Sequence, residues 1–102
     1  MTKIPPGYQN LRAVLNAALE QAAIGKGAAR HADGKPWKKQ PIFSITARVG
    51  VGFPMGQAIK KVEEASGMLN RREIHAAQTE ILGAIIYLAA AYDYIGDTHD
   101  KR

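Results

Sequence analysis

The sequence contains no cysteine. Without thiols the chain has no disulfide framework, no zinc site built on thiolates and no cysteine nucleophile. This composition is typical of a reducing compartment, and we expect the protein in the cytoplasm.

Long hydrophobic runs are also missing. The first ten residues contain Lys3, Pro5 and Pro6 in place of the apolar segment of a secretory signal. The longest uncharged apolar run, Ile81 to Tyr92, is shorter than the ~20 residues that a spanning helix requires. We therefore expect no insertion into a membrane.

Acidic residues are scarce in the middle of the chain. Residues 26–61 hold eight basic side chains and one acid, Asp33, whereas the remaining residues hold six basic and eight acidic side chains. The middle therefore carries a charge of +7 and the remaining residues −2, which together give the net charge of +5. This asymmetry predicts an anionic partner such as a nucleotide, phosphate or nucleic acid. The alternative is a basic surface that only keeps the protein soluble.

The length of 102 residues and the alanine-rich apolar fraction predict one all-α domain, a small bundle of three to four helices. We expect an extended lead-in over 1–9 and a frayed tail over 96–102. Asn10 is predicted to cap the first helix, and a later helix is predicted from Pro54 to about Ser66, stopped by Gly67 as a left-handed C-cap. Along this later helix we expect Met55, Ala58, Ile59 and Val62 to face inward and Lys60 to pair with Glu64 on the outside.

The segment 41–53 fits two structures. Alternation of apolar residues from Phe43 to Phe53 has the strand period, whereas Pro41 suits the first position of a helix. We favour a short helix over 41–49, and a small β-element is the alternative.

A long apolar helix is predicted from Arg71 to Ile95, opened by a capping box of Asn70 and Glu73. Little of the central surface of this helix is polar, so neighbouring helices or a second subunit should bury it. We therefore expect an oligomer, most simply a dimer. The predicted apolar stripe comprises Ile74, Ala77, Ile81, Ile85, Leu88, Tyr92 and Ile95.

Two stretches are candidate ligand sites: residues 26–40, and residues 48–57 together with Lys60 and Lys61. Arginine and lysine hold phosphate, and tryptophan offers a face for a base, although Trp37 can equally well pack in the core. The second stretch places glycines before a helix at Pro54, where free N–H groups favour an anion, although a plain turn between helices has the same pattern. The candidate ligand-binding residues are Tyr8, Lys26, Arg30, His31, Trp37, Lys38, Lys39, Arg48, Gly52, Gln57, Lys60 and Lys61.

Residues for catalysis are few. The sequence has no E-x-x-E or E-x-x-D pair of the kind that holds two metal ions, and its three histidines are scattered. We predict no catalytic residue, no metal site and no cofactor. If the protein is an enzyme, Glu64 and Glu80 are the carboxylates that would bind Mg²⁺.

The pattern G-A-A-R-H-x(5)-W at Gly27–Trp37, together with the closing helix at His75–Ala91, resembles small phage-type proteins of the all-α dATP/dGTP diphosphohydrolase-like group. That group is related to MazG-like nucleotide pyrophosphohydrolases. The resemblance implies a helical bundle, a nucleotide-type ligand and dimerisation.

A second resemblance rests on Gly7, Tyr8 and Leu11, the basic loop and the alanine-rich last helix. These features are similar to phage proteins that sequester cyclic nucleotide immune signals, such as those of CBASS or Thoeris. The resemblance implies that Tyr8 and Trp37 stack bases while Arg30, Lys38 and Lys39 hold phosphates.

Three functions therefore remain open. The first is a non-catalytic binder of a nucleotide or cyclic nucleotide, which would act as an anti-defence decoy. The second is a metal-dependent nucleotide pyrophosphohydrolase. The third is a module that associates with nucleic acid or with another protein.

Overall fold

The computed structural model of the chain describes residues 3–24 and 34–99. Regular structure in these two ranges is entirely helical, which confirms the all-α prediction. A 3-10 turn, Trp37–Lys39, precedes the second helix, and the segment 41–53, for which a strand was the alternative, is helical except at Gly50 and Val51. The helices are α1 (Gln9–Ala23), α2 (Pro41–Val49), α3 (Gly52–Asn70) and α4 (Ile74–His99).

Two predicted helix boundaries are wrong. Asn10 lies inside α1, whose cap position is Tyr8 with no side-chain capping bond. Gly67 does not end α3, because the helix continues to Asn70. The left-handed residue is instead Arg72, with φ 59°, in the turn between α3 and α4.

The predicted capping box before α4 is also wrong. Asn70 is the last residue of α3, and the side chain of Glu73 accepts hydrogen bonds from Arg71 Nε at 3.1 Å and Nη2 at 3.2 Å. The backbone N–H of Glu73 bonds the carbonyl of Met68, which closes the turn. The last helix therefore begins at Ile74, and it continues to His99, beyond the predicted end at Ile95.

The α3–α4 contact is the most extensive in the fold, with α1 packed on α4 and α2 packed on both α3 and α4. The side chains buried along α3 and α4 are small, so the two helices approach closely. In α4 three of the buried alanines, Ala77, Ala84 and Ala91, recur every seven residues, and with Ala90 they form an alanine seam. The buried alanines are Ala58 and Ala65 of α3 and Ala77, Ala84, Ala90 and Ala91 of α4.

Larger apolar side chains lie mostly outside this seam. Ala58 is buried as predicted, but Met55, Ile59 and Val62, which were predicted to face inward with it, are exposed. Alanine occupies the contact line, so these longer side chains project beside it. The interior of the described fold is thus built from small residues.

The last helix is long and apolar enough to cross a membrane by length and composition alone. Buried core helices of soluble proteins meet the same criteria, and 28% of its apolar window is buried inside this chain. This observation is weak evidence for a span.

Candidate functional site

A cavity of about 280 Å³ lies where all four helices and the 3-10 turn meet. Most of its wall is apolar, and aromatic rings come from three different elements. Its polar side chains are gathered from α1, α3, α4 and the residue before α2. The wall includes Trp37, Ile42, Ile45, Phe53, Ile86 and Tyr87, and the polar groups are Gln21, Gln40, Lys61, Thr79 and Glu80.

An ion pair forms the charged part of the cavity. Lys61 Nζ of α3 donates to Glu80 Oε2 of α4 at 3.1 Å, and the two side chains are only 28% and 21% exposed. A Cβ at Gly83 would lie 2.7 Å from Lys61 Cδ. The glycine therefore provides the space in which the lysine side chain crosses α4 to reach Glu80.

The indole of Trp37 forms one side of this cavity. Its Nε1 donates to Asp93 Oδ2 at 3.0 Å, and its ring meets Phe43 edge to face with the centroids 5.0 Å apart. The side chain is therefore fixed both by a hydrogen bond and by an aromatic contact. It is partly buried and still borders the cavity, so it is not sealed in the core.

A second cavity of about 340 Å³ lies on the other side of this wall. Trp37, Gln40 and Ala22 line both cavities. The second cavity adds Lys35, together with Gly34 and Pro36. The indole and the Gln40 side chain therefore separate two adjoining hollows, one with the ion pair and one beside an exposed lysine.

The side-chain amides of Gln40 and Gln21 are each held by a hydrogen bond that the amide nitrogen donates to a backbone carbonyl. Gln40 is buried and its Nε2 donates to the carbonyl of Lys35 at 3.4 Å. Gln21 Nε2 donates to the carbonyl of Thr79 at 3.2 Å, which joins α1 to α4. These bonds hold the cavity rim to the backbone of neighbouring segments.

Three of the residues singled out in the sequence meet at this cavity: Trp37, Lys61 and Glu80. Lys38 instead binds the last helix, with Nζ 2.6 Å from Asp97 and 3.4 Å from Asp93. The hydrogen bonds to Asp97 and then Asp93, opposed by partial desolvation, raise the pKa of Lys38 above its ordinary value.

Lys60 forms the predicted pair with Glu64 on the outside of α3, at 3.7 Å. The other predicted ligand residues that the structure describes line neither cavity. Tyr8 precedes α1 and Lys39 ends the 3-10 turn. Arg48 lies in the last turn of α2, and Gly52 and Gln57 lie near the start of α3. Lys26, Arg30 and His31 lie outside the described residues.

Several cavity residues were not predicted from the sequence, among them Gln21, Gln40, Phe53 and Tyr87. For the hydrogen bond of Trp37 a partial signal was present, because Asp93 follows a long apolar stretch and an acid in such a place needs a partner, but the sequence does not indicate which residue that partner is. No three His, Asp or Glu side chains of residues 3–24 and 34–99 cluster as metal ligands do. Comparison of the chain with known protein families, curated proteins and solved structures finds no match.

Proposed function

We propose that the protein binds a nucleotide or cyclic nucleotide in the Trp37 cavity and sequesters it without changing it chemically. One observation supports this proposal above the others. The Lys61–Glu80 ion pair and an aromatic wall face the same cavity. Ligand sites typically combine an apolar surface with a few fixed polar groups in this way.

The base of the ligand would occupy the cavity. Aromatic side chains offer faces or edges to any base, and the partly shielded ion pair supplies both hydrogen-bonding senses. Lys61 would donate to a ring nitrogen or carbonyl oxygen, and Glu80 would accept from a ring N–H or an exocyclic amine. A volume of about 280 Å³ is small for a ligand pocket and suits a base with its sugar.

The phosphates would lie outside this volume, toward the second cavity. Lys35 lines that cavity and is exposed, so its ammonium group is placed to meet an anion on the far side of the indole. Lys38 is less suited to this role, since two aspartates already engage it.

Titration calorimetry of the full chain with nucleoside mono-, di- and triphosphates and cyclic dinucleotides tests the proposal. The chain offers a matched pair of variants, because Glu80 and Glu64 each bind a neighbouring lysine but only Glu80 faces the cavity. Glu80→Gln should weaken binding by about 10- to 100-fold, the usual effect of losing a charged hydrogen bond, while Glu64→Gln binds like the parent. Equal affinities for both variants, or no binding by the parent, would refute this site.

The adjacent lysines give a second comparison. Lys61→Met removes the donor within the cavity, and Lys60→Met removes a lysine of the same helix whose partner is outside. We expect only the first to reduce affinity. Circular dichroism melting of each variant separates a lost contact from a lost fold.

The position of Glu80 in the cavity is also the observation that favours hydrolysis as the second function. An acid there would hold Mg²⁺ beside a bound phosphate. Incubation of the protein with a nucleotide and Mg²⁺, followed by chromatography of the nucleotide, distinguishes sequestration from hydrolysis. Recovery of intact ligand after heat denaturation supports sequestration, whereas release of pyrophosphate that Glu80→Gln abolishes supports the pyrophosphohydrolase.

A further inference from the structure

The last helix has a second apolar face that the other described residues leave uncovered. Ile74, Ile81, Leu88 and Ile95 recur every seven residues along α4 and are 41–51% exposed. The sequence-predicted stripe thus divides into two parts. Ala77 of this stripe packs in the alanine seam, whereas the large side chains of the stripe lie outside that seam.

The exposed side chains follow the spacing of a helix-pairing seam. Gln78, Ile85 and Tyr92 fall between the four residues of the seven-residue repeat, so that steps of four and three alternate from Ile74 to Ile95. Such a pattern keeps one narrow row of side chains facing a single partner helix. We call this row, residues 74, 78, 81, 85, 88, 92 and 95, the exposed row; Ile85 is half-buried and the other six are exposed.

We infer that α4 of a second copy covers the exposed row and that the protein is a symmetric dimer. In a dimer with two-fold symmetry the same surface serves on both subunits, so a self-complementary apolar row is sufficient. Exposed leucines of α1, which packs on α4, would extend the contact: Leu11, Leu15 and Leu19.

The exposure of the described apolar side chains agrees with this inference. Ile74, Ile81, Leu88, Tyr92 and Ile95 of the exposed row are 41–84% exposed, and Leu11, Leu15 and Leu19 of the neighbouring α1 are 50–64% exposed. Large apolar side chains exposed together in this way mark an interaction surface.

A membrane is a poorer partner for this helix. Glu80, Asp93 and Asp97 lie on α4 and bind groups from α3 and the 3-10 turn, so part of its circumference is engaged in polar contacts with other elements. Its large exposed apolar side chains are instead gathered in the exposed row. A lipid bilayer would surround the helix, whereas a second helix needs one row.

Sedimentation analysis of the full chain tests the inference without any ligand, so its result is independent of the proposed nucleotide site. We expect a mass twice that of the chain. Ile81→Glu with Leu88→Glu should weaken self-association by about 30-fold or more, as loss of interface hot spots does. Val49→Glu is the matched control, because Val49 is 68% exposed on α2, outside the exposed row, and should leave the dimer intact.

Cross-linking keeps the test decisive if the glutamate variants fail to fold. The parent has no cysteine, so Ile85→Cys places a single thiol near the centre of the exposed row. Mild oxidation should convert this variant to a disulfide-linked dimer, and Val49→Cys should remain monomeric on a denaturing gel. A parent that stays monomeric at all concentrations, or that is monomeric and floats with phosphatidylcholine vesicles, would overturn the inference.

Discussion

The indole Nε1 of Trp37 donates to Oδ2 of Asp93 at 3.0 Å and joins the 3-10 turn before α2 to the C-terminal half of α4. Lys38 Nζ lies 3.4 Å from the other oxygen of the same carboxylate. A single acid therefore holds two consecutive side chains of the turn. Because the indole separates the two cavities, this hydrogen bond also fixes the wall of the candidate site.

We expect Trp37→Phe to reduce the free energy of unfolding by about 1–2 kcal/mol, since phenylalanine keeps an aromatic ring but leaves the carboxylate without its N–H donor. Chemical denaturation followed by circular dichroism measures the change. In an Asp93→Ala background the same substitution should cost clearly less, because the acceptor is already gone. Equal costs in both backgrounds would show that the hydrogen bond contributes nothing.

The parts of the fold that depend on local sequence were predictable. Pro41 fixes a backbone angle suited to the first turn of a helix, and it favoured the helical structure of 41–49 that the fold has. Lys60 and Glu64 are one turn apart on a helix, so their pairing follows from sequence alone. Local geometry decides both.

The parts that depend on neighbouring helices were not predictable. Glycine at position 67 permits a helix end, but α3 continues through it to Asn70. Likewise Met55 and Ile59 have the spacing of an inward face, yet the contact with α4 is made by alanines, and this choice depends on how closely the two helices approach. The link between Trp37 and Asp93 spans 56 residues, so no local pattern indicates it.

Gly83→Ala should alter the cavity with little net effect on stability. Alanine favours the helix interior over glycine by about 1 kcal/mol, but its Cβ would force Lys61 away from its present path beside Glu80. In the protein that keeps Lys61, the gain in helix propensity and the displacement of the lysine therefore change the free energy of unfolding in opposite directions. In a Lys61→Met background, where a more adaptable side chain replaces the lysine, the same alanine should stabilise the fold by about 1 kcal/mol. Thermal melts of the four proteins measure this coupling, and identical effects of alanine in both backgrounds would contradict it.

Gly50 is the glycine on which the junction between α2 and α3 depends. Its φ of 94° with ψ of 176° lies in a region that side chains disfavour, although no atom would contact an added Cβ. We therefore expect Gly50→Ala to destabilise the protein by about 1–3 kcal/mol through backbone strain alone. Gly56→Ala is the control, because Gly56 lies inside α3 with equally open surroundings and should gain about 0.5–1 kcal/mol. The urea midpoints of the two variants should therefore move in opposite directions, and a shift in the same direction would refute the strain.

The ion pairs of Lys38 with Asp93 and Asp97 lead us to expect a change in stability at alkaline pH. The carboxylates of Asp97 and Asp93 raise its pKa in the folded protein above the ordinary lysine value of 10.5. A raised pKa means that the folded state holds the proton more tightly, so the contribution is fully present below the unfolded-state pKa and is lost as pH rises through the folded-state value. The difference in urea midpoint between the parent and Lys38→Gln should thus be constant from pH 7 to about pH 10 and shrink above it.

The neighbouring Lys39 provides the control for this prediction, because it is exposed on the same turn and no ion pair to it is present in the described structure. Lys39→Gln should leave the urea midpoint nearly unchanged across the same pH range. Lys38 is half exposed, so 1 M salt should also reduce the effect of Lys38→Gln by screening its attraction to the aspartates. A difference that already declines between pH 7 and 9, or that salt does not change, would mean that the ion pairs of Lys38 do not stabilise the fold.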